Sequence, residues 1–176
     1  MSRTRDSLTK DLESELHLHM ADAHALEKSV VPHLDALIAT TADDELRKAF
    51  RHHRTETLEQ IARLEARLKA HHESPSALKD TSKQLGAFIS ALRALVREDK
   101  PAENAREAFV IEHLEISTYE VLERIALRAG DPETAEVALQ NRSEEEAMAR
   151  IIVVSWDRLV DQMLADKGLL AQSIGP

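Results

Sequence analysis

The sequence predicts an all-α protein: an antiparallel four-helix bundle with a long, partly helical crossover between its second and third long helices. Two observations carry this. Of 176 residues four are Gly, five Pro and none Cys, with one Trp, one Tyr and three Phe. That is too few turn, bridge and strand formers for a collagen-like repeat, a disulfide scaffold or a β-sandwich. Apolar residues also recur at intervals of three and four along four separate segments, the period of one helical face. With 43% hydrophobic and 31% charged residues the chain can bury a core and solvate its outside. Its length favours one domain over 1–176, with a core of about 8–168.

The first helix runs from Leu8 to about Thr40 on the stripe Leu12, Leu16, Met20, Ala23, Val30, Leu34 and Leu37. Pro32 deletes one backbone hydrogen bond, so a kink or a division into two pieces is expected there. Thr41-Ala42-Asp43-Asp44-Glu45 is a short turn with N-cap chemistry and early acids. The second helix follows on Leu46, Phe50, Thr57, Ile61, Leu64 and Leu68 to about His72, making a helical hairpin. Ser74-Pro75-Ser76 breaks the chain, and a shorter helix over about 77–97, carrying Leu78, Leu85, Phe88, Ile89, Leu92 and Val96, lies within a crossover of 73–104. After Lys100-Pro101 the third long helix reaches about Ala129, with Gly130 as its C-cap residue. Asp131-Pro132-Glu133 supplies an N-cap, a first-position proline and an early acid, and the fourth helix extends to about Lys167-Gly168. Residues 169–176 read as a frayed tail. Two hairpins joined by one long connection make the four-helix bundle.

The 32 acidic residues outnumber 23 basic ones, for a formal charge of -9. This argues against nucleic acid or an anionic membrane as partner and makes cations the natural ligands. No apolar run approaches the length of a membrane span, and Met1 to Asp11 is not a basic stretch followed by an apolar one, so a cytoplasmic protein is expected.

The informative residues are charged ones on the core side of the stripes. At about 100° per residue, Glu27 falls among Met20, Ala23, Val30 and Leu34, and His53 sits in the centre of the second stripe with Glu56 one turn on at its flank. Glu112 shares a face with Ala105, Ala108, Phe109 and Ile116, and Glu115 with Ile111 and Leu122. Glu145 aligns with Ala138, Met148, Ala149 and Ile152, whereas Glu144 lies at the edge, and Glu146 and His113 point to water. His24, one turn from Glu27, has three readings: a ligand, a donor to a ligand, or neither. His52, His71 and His72 read as solvated. Glu27 and Glu56 lie symmetrically about the first turn, and Glu115 and Glu145 about Gly130. Antiparallel partners would therefore bring the acids to one level. Carboxylates converging in an apolar interior must be protonated, paired with cations or bound to metal. Mixed carboxylate and imidazole ligands suit iron or manganese, with zinc as a substitute. The alternative is that each acid is a partly exposed or hydrogen-bonded side chain on a plain bundle.

The blocks Ala25-Leu26-Glu27-Lys28 with Pro32, Phe50-x-x-His53-x-x-Glu56-Thr57-x-x-Gln60-Ile61-x-Arg63-Leu64-Glu65, Ile111-Glu112-His113-Leu114-Glu115-Ile116-x-x-Tyr119 and Glu144-Glu145 resemble the YciF/YciE-like ferritin-like proteins. These are bacterial bundles associated with stress responses. The resemblance spans about Leu16 to Leu159. It implies a ferritin-like fold, a homodimer and a dinuclear iron or manganese centre, with Glu27, His53, Glu56, Glu112, Glu115 and Glu145 at the inward polar positions. Two positions depart from the pattern: His24 replaces an aromatic, and Ala149 an acid whose loss would open a coordination position, weaken the second metal or abolish the site. Two functions follow as expectations. One is a metal-binding protein with oxidase or peroxide-handling chemistry in a stress response. The other is a non-enzymatic bundle that associates with itself or a partner.

Overall fold

The computed structural model describes residues 5–73, 82–98 and 100–169, with side chains for all of these except 5–8, 82–86 and 88. Five helices result: α1 (Arg5–Thr40), α2 (Asp44–Ala70), α3 (Ser82–Arg93), α4 (Pro101–Ala129) and α5 (Pro132–Asp166). Each boundary follows from local chemistry. Asp43 caps α2 by accepting from the Leu46 amide at 2.8 Å. Gly130 takes φ 77° at the end of α4, the left-handed conformation that needs no Cβ. Asp131 caps α5 by accepting from the Thr134 amide at 3.1 Å, with Pro132 at the first helical position.

α1 continues unbroken through Pro32, so the chain is not divided there. One missing bond in so long a helix is outweighed by its packing on both sides of the proline, where Val30 and Leu34 are fully buried. The crossover helix ends at Arg93 rather than near Arg97, and α4 begins at Pro101, inside the expected crossover. Asn104 stabilises that corner by accepting from the Arg97 amide at 3.1 Å and donating to the Arg97 carbonyl at 2.7 Å. The break at Ser74-Pro75-Ser76 and the stripe residue Leu78 lie outside the described residues, as does the tail beyond Leu169.

α1 packs on α2 and α4, α5 packs on α4 and α2, and α3 lies along α1, so the four long helices close a ring. Two apolar clusters fill it. One contains Leu26, Val30, Leu34, Leu46, Phe50, Ile111, Met148 and Ile152. The other contains Leu16, Met20, Leu64, Leu68, Tyr119, Leu122, Ala126 and Ala138. Fully buried polar residues fall where these sets meet along α2, α4 and α5, namely His53, Thr57, Gln60, Glu112, Glu115, Asn141 and Glu145, and Glu27 of α1 lies close to that junction, just past Leu26. Among the described residues no helix is long and apolar enough to cross a membrane.

One end of the bundle is tied by a polar chain. His71, expected in solvent, is instead half-buried, its Nε2 2.8 Å from Asp131 Oδ2 and its Nδ1 3.1 Å from Nε2 of His17. A carboxylate only accepts, so His71 Nε2 donates to Asp131. Arg67 Nη2 adds a bond to Asp131 Oδ1 at 2.9 Å. Burial alone would raise the Asp131 pKa. The Thr134 hydroxyl and amide, His71 and Arg67 outweigh it and bring the carboxyl down to about 2 from 3.8. Its stabilisation is therefore present above 3.8 and lost as pH falls toward 2. Asp131→Ala should cost about 1–3 kcal/mol in urea unfolding near neutral pH, and less near pH 2; an unchanged midpoint would contradict this.

Candidate metal centre

His53 reaches the interior because it stands one turn from Phe50 and from Thr57 on the buried stripe of α2. Its ring is held from outside: Nδ1 lies 3.3 Å from Oε2 of Glu56, leaving Nε2 to face inward. There Nε2 meets Glu112 Oε2 and Glu145 Oε2, each at 3.2 Å, yet aligns a hydrogen bond with neither. Glu112 and Glu115 project from one side of α4 at a spacing of three, neighbours on a helical surface. Glu145 projects from α5. The four residues offer one ligand atom each within 4.8 Å of one another, and all are buried.

Glu27 is 1% exposed and shares the interior with this group. Its Oε1 accepts from the Tyr119 hydroxyl at 2.5 Å, and its Oε2 has no hydrogen-bond partner. Glu56 is different. Its side chain is 24% exposed, and Oε1 lies 3.3 Å from the exposed His52, so it stands behind His53 rather than among the converging acids. The level matching that paired it with Glu27 is displaced. Cross-helix contacts of Asp35 with Arg54, His24 with Glu65 and His17 with His71 put Glu27 opposite a stretch of α2 beyond Glu56. His24 is buried against Glu65 at 3.0 Å, His113 is exposed, and Glu146 is half-buried.

The electrostatics express the crowding. Burial first, then the charge of Glu145, raises Glu27 well above the carboxylate range; burial and then Glu27 do the same to Glu115. Glu112 is pushed up to about 8, by burial against the pull of His53. His53 would be depressed by burial, but Glu112, Glu145 and Glu56 hold it well above its ordinary 6.5. The hydrogen bond with His53 lowers Glu56. Burial thus favours the protonated forms of Glu27, Glu112 and Glu115, and the neighbouring acids favour the charged form of His53.

These residues fit a metal. Glu27 Oε2, His53 Nε2, Glu112 Oε2, both Glu115 oxygens and Glu145 Oε2 are all buried without hydrogen-bond partners, although buried polar atoms are ordinarily paired. The donor set, one imidazole and several carboxylates, is that of iron, manganese or zinc. Around it stand polar residues that the helical period alone does not assign. Gln60 donates to Glu145 and, at 3.0 Å, to Glu144, while Arg63 binds Asn141 at 2.8 Å and pairs with Glu144. His33, also absent from the expected set, is buried on the α1 stripe three residues after Val30. Burial and then Arg93 bring it down to about 4.

A family model described as "Domain of unknown function (DUF892)" matches residues 11–165. Three solved structures are similar. The Escherichia coli stress protein YciF has 22% identity over 85% of this chain and 97% of its own, with a TM-score of 0.74. A protein of Xanthomonas campestris pv. campestris has 23% identity over 90% and 99%, with 0.73. YcfI of Rhodopseudomonas palustris has 21% identity over 80% and 92%, with 0.69. The fold is the ferritin-like bundle of the YciF type.

The raised acids fix a sign. Between 4.5 and about 8 folded Glu112 keeps a proton that the unfolded chain has lost, so its contribution to stability falls as pH rises through that window; His53 acts in the same sense above 6.5. Glu112→Gln, which keeps the shape and cannot ionise, should therefore gain thermal stability over the wild type in chelator-treated protein as pH rises from about 5 to about 8. Circular dichroism melts check this, and parallel pH profiles would contradict it.

Proposed function

The chain belongs to the DUF892 family, and on that premise we propose that it is a ferritin-like metal-binding protein with a dinuclear iron or manganese centre in the bundle core, zinc being able to substitute. The observation that carries the reading is the set of buried, unpartnered carboxylate and imidazole atoms converging from α1, α2, α4 and α5. His53, Glu112, Glu115 and Glu145 would hold the ions, with Glu27 beside them. Glu56 accepts from Nδ1 of His53, fixing the tautomer that presents Nε2 inward, as carboxylates behind metal-binding histidines commonly do. Leu26, Ile111, Met148 and Tyr119 exclude water around the layer.

Paired ions of this kind supply redox chemistry toward dioxygen or peroxide. The protein's own part is to hold the ligands in a dry cavity and to give up the protons of Glu27, Glu112 and Glu115 when cations replace them. An oxidase or peroxide-handling role in a cytoplasmic stress response accords with the likeness to YciF, which is named a stress protein. A homodimer is proposed as its assembly.

A second reading is favoured by Ala149 and by the outer side of α5. Ala149 lies buried one turn beyond Glu145, where the family pattern leads one to expect an acid, and Ile151, Val153, Val154 and Val160 are exposed, Val154 by 78%. On this reading the bundle associates with itself or a partner and holds no metal. Elemental analysis after anaerobic loading separates the two. The metal reading expects about two equivalents of iron or manganese per chain and a stabilisation of about 2.7 kcal/mol at a hundredfold excess over Kd. Both should be lost in Glu112→Ala. Less than about a tenth of an equivalent with an unchanged melt would favour the plain bundle.

A further inference from the structure

One directed chain of hydrogen bonds joins the polar layer to the surface. Arg63 on α2, its side chain 20% exposed, donates Nε to Oδ1 of Asn141 at 2.8 Å. Asn141 on α5, fully buried, donates Nδ2 to the Tyr119 hydroxyl at 2.9 Å. Tyr119 on α4 donates in turn to Oε1 of Glu27 at 2.5 Å. Every donor points the same way, from the guanidinium inward to the carboxylate, and bonds in such a chain polarise one another. Glu144 anchors the outer end by pairing with Arg63.

The chain ends on one oxygen of Glu27 and leaves the other free. The terminal torsion of a glutamate is broad, so an untethered Glu27 could rotate its carboxylate. Pinning Oε1 to a phenol that is itself pinned by Asn141 fixes the plane and thereby the direction of Oε2, which has no partner. A buried tyrosine hydroxyl generally finds some partner, and an ordinary structural bond would satisfy that need. Here the partner is Glu27, the one buried acid of α1 among the described residues, and the phenol oxygen both gives and receives a bond, with its amide donor held by a charge.

We propose that the Arg63–Asn141–Tyr119 chain is a positioning device that makes Glu27 the ligand of a second cation position, next to the position formed by His53, Glu112, Glu115 and Glu145. The inference rests on the metal-centre reading and names what separates a two-ion from a one-ion site in this chain. Tyr119 touches no ion in this scheme. It acts through Glu27, in the manner of outer hydrogen bonds whose loss typically weakens metal binding 10- to 100-fold.

The test is a calorimetric titration of chelator-stripped protein with Mn(II), with free Mn(II) followed in parallel by electron paramagnetic resonance. Wild type is expected to take two equivalents. Tyr119→Phe should keep the first with little change and weaken the second by about tenfold or more, while the metal-free melting temperature stays within a few degrees of wild type. Glu27→Gln, which still accepts from Tyr119, should lose the second equivalent likewise, and Arg63→Gln at the exposed end should weaken it less. Two undiminished equivalents in Tyr119→Phe or Glu27→Gln would overturn the inference and leave the metal centre standing. Parallel weakening of both equivalents with a lower metal-free melting temperature would also overturn it, by making Tyr119 merely structural. A wild type that takes no Mn(II) would refute the underlying metal reading itself.

Discussion

The structure turns on one constraint: several carboxylates and an imidazole are held together where water cannot reach them. Glu27, Glu112, Glu115 and Glu145 are each no more than 1% exposed, and moving even one ionised carboxylate into such surroundings costs several kcal/mol unless it is compensated. The chain compensates in part, with the Tyr119 bond to Glu27, the Gln60 bond to Glu145 and the nearness of His53. What is left uncompensated is concentrated on atoms that point toward each other. An interior optimised only for stability would place apolar side chains there, so the layer is a cost in folding that the apolar clusters on its two sides offset.

That division explains the placement of the remaining features. The capping acids, Asp43 and Asp131, and the tie of His17, His71 and Arg67 fix the helix ends, where the ladder of backbone bonds runs out. Leucine, methionine and alanine fill the ring between the ends and the layer. The polar residues behind the layer, Glu56 behind His53, Asn141 behind Tyr119 and Arg63 behind Asn141, point side chains that would otherwise have rotamer freedom. Precision in the layer is thus supplied by residues that stand behind it.

Much of this was legible in the sequence because the helical period converts position into direction. The same stripe that assigns Met20 and Val30 to the core assigns Glu27 to it, and the same count separates Glu145 from Glu144 and Glu146. Helix ends were readable from Gly130, Asp131-Pro132 and the acids at 43–45. The rest depended on distances that periodicity does not contain. Glu56 shares a helix flank with His53, and only the tilt of its side chain decides that it stands behind the ring. His71 lies beyond the last turn of α2, where the helical angle no longer applies, and its burial comes from the approach of α1 and Asp131. Symmetric counting about the first turn misjudged the register of α1 on α2, which long side-chain contacts fix. The bond from Tyr119 to Glu27 joins helices far apart in sequence, and a buried tyrosine alone gives no sign of it.

The claim that this layer is built around cations is tested most directly by diffraction from crystals grown with Mn(II), using the anomalous signal of the metal. The account predicts peaks in the first coordination shell of His53 Nε2 and of the carboxylates of Glu112, Glu115 and Glu145. Peaks confined to exposed carboxylates, with the buried acids bridged by water or by one another's protons, would contradict it.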